Sequence, residues 1–146
     1  MRSHRLHIPT AASTSTIEYA VPFYDTDAMG IVHHANYVRY LELARVRFLR
    51  EHDEPYQYYV AQGFHFVVTR VDVQLRRATR FDELLKVTCW LERVGAVSLE
   101  FGYQIRCNDE LSALAKTEHG MVDLRGKLAR IPDSRRAHLL SLLGDL

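Results

Sequence analysis

Two carboxylates, two histidines, a glycine and an asparagine fall within residues 25–36, and a segment of strong helical periodicity follows at once. Asp25 and Asp27 are two apart, so in extended backbone their side chains share a face. Gly30 permits a backbone shape that other residues resist. The first turn of a helix presents unpaired N–H groups with positive dipole character. Near His34 to Tyr37, such a turn can polarise a carbonyl oxygen and hold a developing oxyanion. A neighbouring carboxylate serves as general base or nucleophile. Together these are the parts needed for acyl transfer.

Each of these residues also has a plain structural use. Asp25 reads as a turn or capping group ahead of a catalyst. For Asp27 the two readings stay open. Asn36 reads as an N-cap, and Tyr24 and Tyr37 as packing residues whose hydroxyls need partners. His33 and His34 are adjacent and so point apart. With no histidine at i+4 and no cysteine cluster, the spacing argues against a metal site. No serine-nucleophile motif, P-loop or dinucleotide glycine pattern is present.

Specific elements must hold that stretch in place. Residues 1–15 are polar and aperiodic, and are expected to form a flexible arm ahead of a single domain over 16–146. Residues 17–24 read as a strand that ends, bulges or lies on an edge at Pro22. In the helix over 38–52, Tyr37, Leu41, Ala44 and Phe48 form one stripe, and Leu43, Val46 and Leu49 widen it. Such a helix calls for a sheet wrapped around it. Pro55 stops it, and a short helix over 56–62 ends at Gly63. The period then changes to two. Val67 to Leu75, Leu85 to Leu91 and Leu99 to Cys107 alternate, with turn signals at Gly95-Ala96 and Asn108-Asp109. A weaker strand covers 111–124, Arg125-Gly126 is a turn, and a last helix starts at Pro132-Asp133. The predicted fold class is α+β, with a long central helix wrapped by a curled antiparallel sheet of about five strands. Open edges favour pairing with a second subunit.

Bulk properties bound the function. With 146 residues, eight Tyr, six Phe and one Trp, the chain can build one core. A formal net charge of +1 gives no field for nucleic acid. Cys89 and Cys107 lie on separate apolar runs and read as reduced core residues. No apolar run reaches membrane-spanning length, and no secretory h-region follows the basic N-terminus. The expected location is the cytoplasm.

Tyr24-Asp25-Thr26-Asp27-Ala28-Met29-Gly30-Ile31-Val32-His33-His34-Ala35-Asn36-Tyr37, followed by Tyr40-Leu41-Glu42-Leu43-Ala44-Arg45, resembles the signature of the 4-hydroxybenzoyl-CoA/YbgC-like acyl-CoA thioesterases of the hotdog superfamily. Val68-Thr69-Arg70, Leu75-Arg76-Arg77-Ala78, Phe81-Asp82-Glu83-Leu84, Gly126-Lys127 and Arg130-Ile131-Pro132 extend the likeness over about 16–132. The resemblance implies a hotdog fold, assembled as a homodimer or homotetramer with sites at the subunit interface, that hydrolyses an acyl-CoA with no cofactor and no metal. It implies Asp27 as the catalytic carboxylate, nucleophile or general base, and a thioester carbonyl polarised by the backbone N–H at or beside His34. The His34 side chain would assist. Tyr24, Asp25, Gly30, Asn36 and Tyr37 would support the turn. Arg76, Arg77, Arg93, Lys127 and Arg130 are candidates by charge for the CoA phosphates. Phe23 stands where some members carry tyrosine, and Met29 where a small or polar residue is more usual, so the acyl group is left unspecified. Two alternatives share the fold: a non-catalytic acyl-thioester-binding or sensing module, and a thioesterase acting on carrier-protein-bound acyl groups.

Overall fold

The computed structural model describes residues 7–145. Its strands are β1 (Ser15–Ala20), β2 (Phe64–Leu75), β3 (Leu84–Val94), β4 (Ser98–Cys107) and β5 (Glu110–Asp123); its helices are α1 (Asn36–His52), α2 (Tyr56–Ala61) and α3 (Asp133–Ser141). All strands join one antiparallel sheet in the order β1-β3-β4-β5-β2. α1 packs across β1 and β3. This is the α+β helix-in-sheet arrangement expected from the periodicities.

The core explains the sheet's curl around α1. Leu85, Val87, Cys89 and Leu91 of β3 and Leu99, Phe101, Tyr103, Ile105 and Cys107 of β4 are all buried. Against them α1 buries Tyr37, Tyr40, Leu41, Ala44, Phe48 and Leu49. Phe48 meets Phe101 edge-on at 5.9 Å between ring centroids. Each such side chain contributes about 1.5–3 kcal/mol on burial. The buried stripe is narrower than the sequence suggested, because Leu43 and Val46 are exposed. Cys89 and Cys107 are free and buried.

β3 and β4 approach closely where Trp90 lies over Gly102; a Cβ on Gly102 would fall 2.6 Å from the indole. β1 is an edge strand and stops at Ala20, two residues before Pro22, which opens a 3-10 turn at Phe23–Asp25. β2 forms the other edge. Its simple alternation does not sort inside from outside: a register shift between Val68 and Arg70 breaks it, and Val67, Val68, Val71 and Leu75 are exposed.

The expected flexible arm over 1–15 is only partly open to description, since residues 1–6 lie outside the described residues. Its later part is tied down. Ser13 N–H donates to the Leu142 carbonyl (3.1 Å), Asp145 N–H to the Thr10 carbonyl (2.8 Å), and Ser15 already belongs to β1. No described helix is long and apolar enough to cross a membrane.

Candidate active site

Residues 26–32 form a small closed hairpin between β1 and α1. Thr26 bridges Val32. Asp27 N–H donates to the Ile31 carbonyl (2.9 Å), and Gly30 N–H to the Asp27 carbonyl (2.9 Å). The turn closes because Gly30 takes φ 76°, a left-handed shape that costs a side-chain-bearing residue energy. The hairpin is pinned from outside by the Ile31–Arg80 bridge and by Val32 N–H donating to the Thr79 carbonyl (2.8 Å). Inside it, the Asp27 carboxylate is partly exposed. Its Oδ1 accepts the Met29 N–H (2.8 Å), and its other oxygen has no partner among the described residues.

Asp25 is built differently. It is 1% exposed. Its carboxylate accepts from the Tyr40 hydroxyl (2.6 Å), the Tyr19 hydroxyl (3.0 Å) and Arg39 Nη1 (3.1 Å). Burial alone would raise its pKa; the bonds from Tyr40, Tyr19 and Arg39 outweigh burial and hold it below the usual carboxylate range. Burial and the Asp25 carboxylate push the Tyr40 hydroxyl well up, so it stays a donor. A buried anion with three donors on its oxygens organises a loop and is shielded from a substrate. Its main chain is used as well: the Asp25 carbonyl accepts His33 N–H (2.9 Å) and Asn36 Nδ2 (2.8 Å).

The helix start is where sequence and structure part company. Asn36 is not the N-cap. Ala35 takes that position with helical backbone and no side-chain capping bond. Asn36, the first helical residue, turns its amide back to the Asp25 carbonyl, so it welds the loop to the helix. His33 Nδ1 accepts the Ala35 N–H (3.1 Å), and its ring stacks on His34 at 4.2 Å, so the two adjacent histidines do not point apart as their spacing suggested. The His34 N–H finds no acceptor among the described residues, and its side chain is exposed. An unused donor at the positive end of a 17-residue helix is suited to a developing oxyanion.

The remaining sequence candidates scatter. Tyr37 is buried and shares a hydrogen bond with Thr79 Oγ1 (2.8 Å), while Tyr24 is 79% exposed. Arg76 and Arg77 lie at the loop's end of the sheet, but Arg76 bonds Gln74 (3.0 Å) and Arg77 pairs with Glu110 (2.9 Å) and Glu83 (3.4 Å). Arg93 pairs with Glu100 (3.5 Å) at the far end of β3, and Lys127 and Arg130 follow the far end of β5. Within one chain these three stand opposite the Asp27 hairpin.

Three features had little signal in the sequence. Tyr19, Arg39 and Tyr40 hold Asp25; only the i, i+3 spacing of Tyr37 and Tyr40 hinted at this. Arg80 lies against the hairpin. A cavity of about 390 Å3 runs between the outer side of α1 and the β2 side of the sheet, with Val46, Leu49, Phe66, Leu99 and Phe101 in its walls. Arg45 and His119, also in its lining, end a polar chain: Arg45 Nη1 donates to Tyr103 Oη (3.1 Å), Tyr103 bonds Thr117 (2.7 Å), and Thr117 bonds His119 Nε2 (2.7 Å). Burial, with the Arg45 charge added, pushes His119 down to about 3, so its ring is neutral.

A family model for the thioesterase-like superfamily matches residues 21–139, which takes in the hairpin, α1 and the whole sheet beyond β1. The chain belongs to that superfamily. It is a thioester hydrolase by class, and its fold is the hotdog. The acyl-CoA thioester hydrolase YbgC of Escherichia coli O6:H1 is 33% identical over 108 residues, 73% of this chain and 80% of its own length. The crystal structure of a hypothetical protein from Thermus thermophilus superposes with TM-score 0.84 at 33% identity, over 88% of this chain and 99% of that one. A DHNA-CoA thioesterase from Staphylococcus aureus gives TM-score 0.80 at 26% identity, over 86% and 88%.

Proposed function

We propose that this member hydrolyses acyl-CoA thioesters at the hairpin, with Asp27 as the reacting carboxylate and the His34 N–H as the oxyanion donor. One contrast carries the reading: of two carboxylates two residues apart, Asp25 is buried with three side-chain donors on its oxygens, while Asp27 is partly exposed and keeps one oxygen open in the hairpin that leads into the helix start. The activity named for the E. coli relative supports the substrate class.

On the general-base route, Asp27 takes a proton from water as the water oxygen attacks the thioester carbon. The carbonyl oxygen becomes an oxyanion against the His34 N–H. The C–S bond then breaks, and the coenzyme leaves as a thiolate that takes up a proton. On the nucleophilic route, an Asp27 oxygen attacks instead and forms a mixed anhydride that water opens. Oxygen label from water appearing in the Asp27 carboxylate after a single turnover marks the second route. The exposed His34 ring would assist proton movement to the leaving group.

The test is thiol release by the purified protein across short, medium, long and aromatic acyl-CoAs, with the free acid identified as co-product. Turnover of at least one class is expected. Tight binding of every class without turnover contradicts the reading.

A further inference from the structure

We propose that Arg80 is a substrate-positioning residue that holds the phosphates of coenzyme A at the rim of the Asp27 hairpin. The inference rests on the acyl-CoA reading and goes beyond it, since sequence charge alone pointed to other cations.

Arg80 is selected by what surrounds it. Five arginines stand at this end of the sheet, of which Arg106 is taken up by Gln104 and the Asp109 carbonyl. Arg39 is taken up by Asp25 and Asn36, Arg76 by Gln74, and Arg77 by Glu83 and Glu110. Among the described residues the Arg80 guanidinium has no partner. Glu83, three residues on, is the nearest acid in sequence that is not solvent-turned, and it is committed elsewhere. Its Oε1 accepts Arg80's own backbone N–H (2.7 Å), and its Oε2 faces Arg77 (3.4 Å) and the Cys107 thiol (3.1 Å).

The guanidinium nevertheless lies against the hairpin. Arg80 Nη1 lies 3.9 Å from where a Cβ on Gly30 would stand. Gly30 closes the Asp27 turn, and the Ile31–Arg80 bridge fixes the backbone beneath it. No ion pair forms with Asp27, so the cation leaves the reacting carboxylate free. Next to it Phe81 meets Phe23 edge-on at 5.9 Å, with both rings largely exposed. A planar fork of N–H donors with no protein acceptor matches phosphate oxygens, which it meets two at a time. The pantetheine arm is long and flexible. With its thioester at Asp27, it can return the diphosphate to a long exposed side chain on the same rim.

The experiment uses wild type, Arg80→Gln and Arg80→Lys. CoA itself is titrated calorimetrically, and hydrolysis is compared for one acyl group on CoA and on pantetheine, which lacks the phosphates. For Arg80→Gln the expected result is about tenfold weaker CoA binding and an equal rise in KM for the acyl-CoA, with kcat within about twofold. Hydrolysis of the acyl-pantetheine stays unchanged, and Arg80→Lys recovers part of the loss. Unchanged CoA affinity, or an equal effect on both thioesters, overturns the proposal. If wild type cleaves neither thioester, the hydrolytic reading fails, and the CoA titration alone still decides the role of Arg80.

Discussion

Asp25 and Asp27 carry the same functional group in opposite surroundings. Tyr40, Tyr19 and Arg39 make Asp25 a buried structural anion. Asp25→Asn is expected to cost about 2–3 kcal/mol in urea denaturation and to lower kcat through the loop it organises. Because its folded-state pKa is depressed, the stability it contributes is present above the unfolded-state value and is lost as pH falls through the folded-state value, below roughly pH 4. His119 acts in a higher window. Its folded-state value is lowered from 6.5 to about 3, so the unfolded chain binds the extra proton between those limits. Stability is therefore full above about 6.5 and falls as the solution is acidified toward about 3, by up to ~1.4 kcal/mol per pH unit. Urea midpoints for wild type and His119→Asn at pH 7 and pH 5 check this: the wild type loses more stability between the two, and equal losses would show that His119 is not the group responsible.

At the scale of elements, two glycines enable geometries of different kinds, Gly30 in the hairpin and Gly102 between β3 and β4. Gly30 supplies a left-handed φ, so Gly30→Ala strains the turn by about 1 kcal/mol and displaces Asp27. Activity is expected to fall further than thermal stability does. Gly102 supplies room, so Gly102→Ala drives a methyl into the Trp90 ring and costs about 1–3 kcal/mol; Tm falls while kcat at low temperature is kept. The periodic elements were legible because their side chains answer to one partner surface. The apolar positions from Leu85 to Leu91 and from Leu99 to Cys107 are buried as alternation demands, but the opposite face is not solvated as alternation implied, since Trp90, Glu100 and Gln104 are buried as well. β2 was misread in detail because an edge strand with a bulge has no single inside face. The loop's membership was legible, since acids, histidines and Gly30 stand together in the chain. Asn36's bond to the Asp25 carbonyl was not, because it depends on how the hairpin folds back. The Arg45–Tyr103–Thr117–His119 chain was hidden for a similar reason: α1, β4 and β5 meet only in three dimensions.

For the whole molecule, the open side of the sheet is the main feature still unpartnered. Val67, Val68, Val71 and Leu75 on β2 and Val38, Leu43 and Val46 on α1 are exposed in the single chain. An exposed apolar edge strand is a template for a second strand. The expected state in solution is at least a dimer of the 16.9 kDa chain, read by light scattering on a sizing column. Val68→Lys with Val71→Lys is expected to shift it toward monomer. A monomeric wild type would contradict this assembly. The account as a whole turns on a single carboxylate, and the most direct measurement is steady-state hydrolysis of the best acyl-CoA by wild type and Asp27→Asn, with circular dichroism confirming the same fold. A fall in kcat of about a hundredfold or more, with KM little changed, is the predicted result. Equal turnover by the two proteins would contradict it.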